Sequence, residues 1–370
     1  MAGRWFALAM ATLLGIPLLA PPVIGEWETD TWLSNVIGPE RLENGDEFGC
    51  HGFEGISTIS ENWVIESCRD YLMRLTDASR WGDEPLTFGL TGDVLDQGTA
   101  DAMLESGFLI VGDNQGDVPD GLVSFHTNGA SLEKGVADKE LLESAEEHSL
   151  VSIYWRARID DLRVREDTDV IAWLEDQDVW FTTWAEWHLH QVSGFSTNIT
   201  MEGSTLTSVS SSTDIWSVPG TIFIEINGSV ISVAGSSGEE YPELDSDVRK
   251  LTHGWRKTSD GIILTQPPGT SVTIELDIIS DSAPYYPLAT FNGLHHGVTV
   301  VGHHTSNLFR WSSDFQDSDL VFTWLVERPA KDGVGWVIPT VAVSVLVAVP
   351  VSISYLLRSD QAMKFTHQEE

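Results

Sequence analysis

Two uncharged apolar runs bracket the chain, at residues 5–25 and 335–357. Between them the hydrophobic positions keep short periods. Ile65, Cys68, Leu72 and Leu75 recur at helical spacing and predict a helix over 65–81, stopped by Gly82. DKELLESAEEH (138–148) predicts a second short helix, with Asp138 as its N-cap and Leu141, Leu142 and Ala145 as its apolar stripe. Elsewhere the period drops to two. Val151, Ile153, Trp155, Ala157 and Ile159 alternate with Ser152, Tyr154, Arg156 and Arg158, the mark of a half-buried strand. Residues 108–111, 122–125, 170–174 and 179–192 continue as expected strands.

A Ser/Thr-rich stretch at 193–217 separates this mixed region from one that reads as all-β. TIFIEINGSVISVAG predicts a hairpin turning at Asn227-Gly228, and GIILTQPPGTSVTIELDI repeats the scheme around Pro267-Pro268-Gly269. Residues 320–326 form a last strand before the C-terminal apolar run. The expected fold is therefore mainly β: an α+β part at 26–193, an antiparallel β-sandwich-like, membrane-proximal domain at 194–330, and a single C-terminal transmembrane helix. No internal repeat stands out.

The ends set the expected location. One Arg, an apolar stretch and small residues before Glu26 make residues 1–25 an export signal or an N-terminal membrane anchor. The run at 335–357 is 23 residues without a charge, about 34 Å as a helix and enough to cross a hydrocarbon core. Arg358 and Lys364 follow it in the tail at 358–370, which places that tail in the cytoplasm or interior and the body outside, at a plasma membrane or viral envelope.

Charge narrows the function classes. The chain carries 56 Asp and Glu against 20 Lys and Arg, a net charge of −36. A field of that sign excludes a nucleic-acid partner held by phosphate neutralisation. With few of the basic residues being Lys, it also fits a halophilic surface, where molar salt shortens the Debye length to ~3 Å. An apolar share of 42% excludes wholesale disorder. Cys50 and Cys68, the only cysteines, predict one disulfide in an oxidising exterior, worth about 3 kcal/mol in the chain-entropy model. Asn198-Ile-Thr and Asn227-Gly-Ser are glycosylation sequons.

Candidate chemistry centres on histidine. On a strand, Glu186, His188 and His190 would share one face with Cα atoms about 6.5–7 Å apart, and two imidazoles so placed could hold Zn or Cu with a later ligand such as His303 or His304. His295-His296 is a further pair. His51 beside Cys50 lacks the second Cys pair of a zinc site. Asp113, Asp117 and Asp120 in a Gly-rich loop offer oxygen ligands for Ca. Arg156, Arg158, Arg163 and Arg165 form a basic cluster among acids. Trp173, Trp180, Trp184 and Trp187 fill a core or make a stacking platform. No phosphate loop, nucleophile elbow or metalloprotease helix is present. The expected role is an extracytoplasmic surface protein acting in recognition, envelope structure or assembly with a protein or glycan partner. The alternative is a membrane-tethered metal-binding protein or metalloenzyme centred on His188 and His190.

Overall fold

A computed structural model describes residues 33–90, 94–113, 116–127, 140, 143–157, 168–280, 282–304, 318–329, 344–346, 348–354 and 357. The chain divides into two units, residues 27–329 and the two ends together (1–26 and 330–370).

The framework of the first unit is a parallel sheet. Its strands are β1 (Glu47–Glu54), β2 (Thr87–Gly89), β3 (Ile110–Gly112), β4 (Val123–Phe125), β5 (Leu150–Ala157), the short β6 (Trp180–Phe181), β15 (Gly297–His304) and β16 (Phe322–Pro329). The order across the sheet is β4-β3-β2-β1-β16-β15-β5, with β6 also pairing with β15. Every pair among them is parallel. This corrects the mainly β expectation: the body is α/β. The reason lies in the central strands. Val298, Val300 and Val301 on β15 and Phe322, Trp324, Leu325 and Val326 on β16 are all buried. Strands covered on both faces read as continuous apolar runs, not alternating ones, and belong in parallel sheets under helices.

The helices are α1 (Gly38–Asn44), α2 (Trp63–Met73), α3 (Gln97–Glu105), α4 (Thr168–Glu175) and α5 (Trp184–Phe195). Helix α2 follows the predicted apolar stripe, burying Val64, Ile65, Cys68, Tyr71 and Leu72, but ends at Met73, short of Trp81. Cys68 on α2 is disulfide-bonded to Cys50 on β1, as the sequence predicted. The expected strand at 170–174 is part of α4; of the predicted helix at 138–148, residues 138, 139, 141 and 142 lie outside the described residues, 140 and 143 are helical, and 144–148 are not.

The antiparallel part is an insertion between α5 and β15. It comprises β7 (Thr197–Glu202), β8 (Thr205–Ser210), β9 (Gly220–Glu225), β10 (Val230–Ala234), β11 (Gly254–Lys257), β12 (Gly261–Gln266), β13 (Ser271–Leu276) and β14 (Tyr285–Pro287). These make two four-stranded sheets, β10-β13-β8-β7 and β11-β12-β9-β14. Leu206, Ile222, Ile224, Ile262, Leu264, Val272 and Ile274 from both sheets share one buried core, so the insertion is a sandwich. It stops at β14; the later strands belong to the parallel sheet.

Neither predicted hairpin forms. The arms around Asn227-Gly228 enter different sheets, β9 beside β12 and β14 and β10 beside β13. Neither turn residue has the positive φ that a type I′ turn requires. The arms around Pro267-Pro268-Gly269 part in the same way. Tight hairpins lie elsewhere: inside the Ser/Thr-rich stretch, where Gly203 (φ 65°) opens the turn joining β7 to β8, and between β11 and β12.

In the second unit the described helical stretches are 344–346 and 348–354. No helix among the described residues is long and apolar enough to cross a membrane, which overturns the expectation of a single C-terminal transmembrane helix.

Candidate functional site

Open parallel sheets present their strand ends to ligands at the carboxyl edge. Here that edge collects chemistry from four strands. On β1 the register with β16 shifts between Cys50 and Gly52, so His51 occupies an irregular step, a local device that re-aims a side chain. On β2 a Cβ at Gly89 would lie 2.8 Å from His51 Cδ2 and 2.7 Å from Leu325 Cδ1, so only glycine leaves room for the ring. Asp113, directly after β3, adopts φ 59° and donates its N–H to the Phe125 carbonyl (2.8 Å). His303 and Glu327 arrive on β15 and β16.

The four groups form two carboxyl–imidazole pairs. Asp113 Oδ2 lies 3.0 Å from His303 Nε2, and Glu327 Oε1 lies 3.6 Å from His51 Nδ1. The imidazole rings meet edge to face with centroids 4.8 Å apart, and the Tyr154 ring on β5 lies 5.5 Å from that of His303. Burial works to raise the Asp113 carboxyl, but the hydrogen bond and charge of His303 outweigh it and hold it below the usual range. Burial pushes the His303 imidazole down, against the opposing pull of Asp113. At neutral pH the pair is thus a carboxylate accepting Nε2–H from a neutral imidazole, which leaves Nδ1 as an acceptor. A carboxylate that fixes the tautomer and orientation of a histidine in this way equips it to take or relay a proton.

The structure relocates the other expected residues. Glu186, His188 and His190 lie on α5, not on a strand, so the three do not share a face: Glu186 and His190, four apart, both point to the buried side, while His188, two from each, points elsewhere. The local signal was Thr183, whose side chain caps the helix by accepting the Glu186 N–H (3.2 Å), with Glu three residues after the cap. Glu186 is buried and bonded to Arg80 Nη2 (3.1 Å), Trp81 Nε1 (2.5 Å) and Thr182 Oγ1 (3.1 Å). His190 is fully buried, with Nε2 2.8 Å from Thr221 Oγ1 and its ring against Trp180. His304 follows His303 at the end of β15. Asp117 and Asp120 are exposed, while Asp113 turns to His303. Among the described residues no group of three or more His, Cys, Asp or Glu is disposed to hold a metal ion. Arg158, Arg163 and Arg165 lie outside the described residues. Trp180, Trp184 and Trp187 are core. Sequence reasoning set His51 aside and missed Tyr154 and Glu327, which are joined to the cluster only through the strand order.

Comparisons with protein-family models, with curated proteins and with solved structures find no match to this chain.

The buried histidines make stability depend on pH. Burial lowers His190 to about 3 and His296 to about 4, the latter also through His295, and lowers His188 and His303. Unfolded imidazoles protonate below about pH 6.5 while these folded ones stay neutral, so the unfolded state gains protons as pH falls. Their stabilisation is therefore complete above pH 6.5 and declines below it, each group contributing up to about 1.4 kcal/mol per pH unit. Glu47, which burial holds above the ordinary range, works in the opposite sense as pH rises above 4.5. Thermal melts at constant salt should show a falling midpoint from pH 7 to pH 5, with a shallower fall for His190→Gln. A flat profile over that interval contradicts the assignment.

Proposed function

We propose that this chain works outside the cytoplasm of a salt-adapted cell or virus as a recognition domain, with its ligand site at the carboxyl edge of the parallel sheet. The observation that carries the reading is the 3.0 Å Asp113–His303 contact packed against the His51–Glu327 pair, four polar side chains from separate strands meeting where such sheets take ligands. The Cys50–Cys68 disulfide supports an oxidising exterior and fastens β1 one residue before His51.

The chemistry of the cluster selects the ligand. Neutral His303 beside ionised Asp113, within an acidic chain, repels anions and offers acceptors. Amines, amino sugars and other donor-rich molecules fit it best. The same pair also suits acid–base work on such a ligand, with His303 Nδ1 as the base.

Thermal-shift titrations with small amines and amino sugars test the reading, with citrate and phosphate as counter-probes. A fitting ligand at a hundred times its Kd adds ~2.7 kcal/mol. His303→Ala and Asp113→Asn should abolish the shift relative to each variant's own unliganded midpoint. Stabilisation by citrate or phosphate alone, or an amine shift that persists in both variants, overturns it.

A further inference from the structure

The sandwich holds a second site, independent of the carboxyl edge. Because β9 and β10 enter different sheets, the segment between them crosses the end of the sandwich and leaves an opening there. The opening has a volume of about 470 Å³, in the range of small-molecule clefts. Its apolar wall includes Phe223, Leu276, Ile278 and Tyr286, and Glu225 and Asp260 lie on its polar side. Phe223 and Tyr286 face each other with ring centroids 5.3 Å apart, and Tyr286 is 48% exposed. Asn227 itself lines the opening, is exposed, and begins the sequon Asn227-Gly228-Ser229.

We propose that Asn227 carries an N-linked glycan whose first sugars lie in this opening and cover the Phe223–Tyr286 wall. The occupant follows from where the sequon sits: a sugar attached to Asn227 emerges into the space its own side chain borders. The C–H faces of a pyranose match the aromatic and aliphatic wall, and its hydroxyls can donate to Glu225 and Asp260. In the attachment step the Asn227 amide nitrogen loses a proton and bonds to the anomeric carbon of a glycosyl phosphate donor. The carbon–oxygen bond to the donor breaks, and the phosphate leaves with its electron pair. The other sequon provides the contrast. Asn198 is exposed on β7, in register with Val209, and does not border the opening.

The experiment uses full-length protein from its native host, comparing wild type, Asn227→Gln, Ser229→Ala and Asn198→Gln by intact mass and thermal melting. The expected result is loss of one glycan mass in both Asn227→Gln and Ser229→Ala, with a midpoint lowered by at least about 2–4 °C, the shift for 1 kcal/mol in a domain of 150–250 residues. Asn198→Gln should leave the midpoint unchanged. In a Tyr286→Ala background, which keeps the sequon, adding Asn227→Gln should produce little further shift. An unchanged mass on losing the sequon overturns the proposal. So does a midpoint loss no larger than that of Asn198→Gln, or one that persists undiminished without Tyr286.

Discussion

Asp46→Ala should destabilise the protein by about 3–5 kcal/mol, the penalty for stripping one partner from a buried ion pair. Asp46 is fully buried just before β1. Its carboxylate accepts from Arg41 Nε (2.6 Å) and Nη2 (3.0 Å), from Asn44 Nδ2 (2.9 Å), from the Phe322 N–H (3.2 Å) and from Trp324 Nε1 (2.8 Å). It thus ties α1 to β16, the strand that pairs with β1. Alanine removes the acceptor for all five donors and leaves a guanidinium, itself 3% exposed and stacked at 5.2 Å on Phe322, without its carboxylate. Asp46→Asn keeps the shape, loses the charge, and should fall between alanine and wild type. Arg41→Met with Asp46→Leu should recover much of the loss, because an apolar pair has no desolvation penalty to offset. Urea titration at pH 7 and fixed high salt reads all four proteins. A midpoint for Asp46→Ala within about 1 kcal/mol of wild type would show that the network is not holding the sheet.

Opening the disulfide should produce the next largest effect. With Cys50 and Cys68 18 positions apart, loss of the cross-link removes about 3 kcal/mol through the greater freedom of the unfolded chain. Both cysteines are fully buried, so the Ala/Ala double variant is preferable to serine, which would bury hydroxyls. The double variant and the reduced wild type should melt at similar temperatures, both well below the oxidised protein. His51 follows Cys50 directly, so any ligand-induced stabilisation should weaken in the same proteins. Equal melting temperatures for oxidised and reduced wild type would contradict this.

How far the sequence could be read depended on the range of the signal. Local patterns carried α2 with its stripe from Val64 to Leu72, the alternation through Val151 and Ile153 in β5, the disulfide, and the sandwich strands around Ile222 and Ile263. Strand partnership was not local. Asn227-Gly228 is a strong hairpin signal, yet its arms satisfy their backbone groups on different sheets, where Ile224 and Val233 both reach the same core. The strand expected over 179–192 holds only at Trp180–Phe181 and failed beyond it for a different reason: Trp, His and Leu fit either period at that length, and the Thr183–Glu186 capping pattern that decides for helix was overlooked. The candidate site was legible only in pieces. Asp113 and His303 were each singled out for metal chemistry, but they are 190 positions apart, and only parallel order across the sheet brings them within 3.0 Å.

The placement of β16 beside β1 carries a consequence for assembly. The middle of the parallel sheet joins Phe48 to Trp324, residues separated by most of the chain. The first central strand must therefore wait for the last one to be synthesised, whereas the inserted sandwich holds all its own partners between residues 197 and 287. Closing so long a loop is slow, and a waiting apolar strand invites wrong neighbours. The sandwich is the part of the molecule able to mature early. The carboxyl-edge cluster, needing Glu327, is completed only at the final docking step.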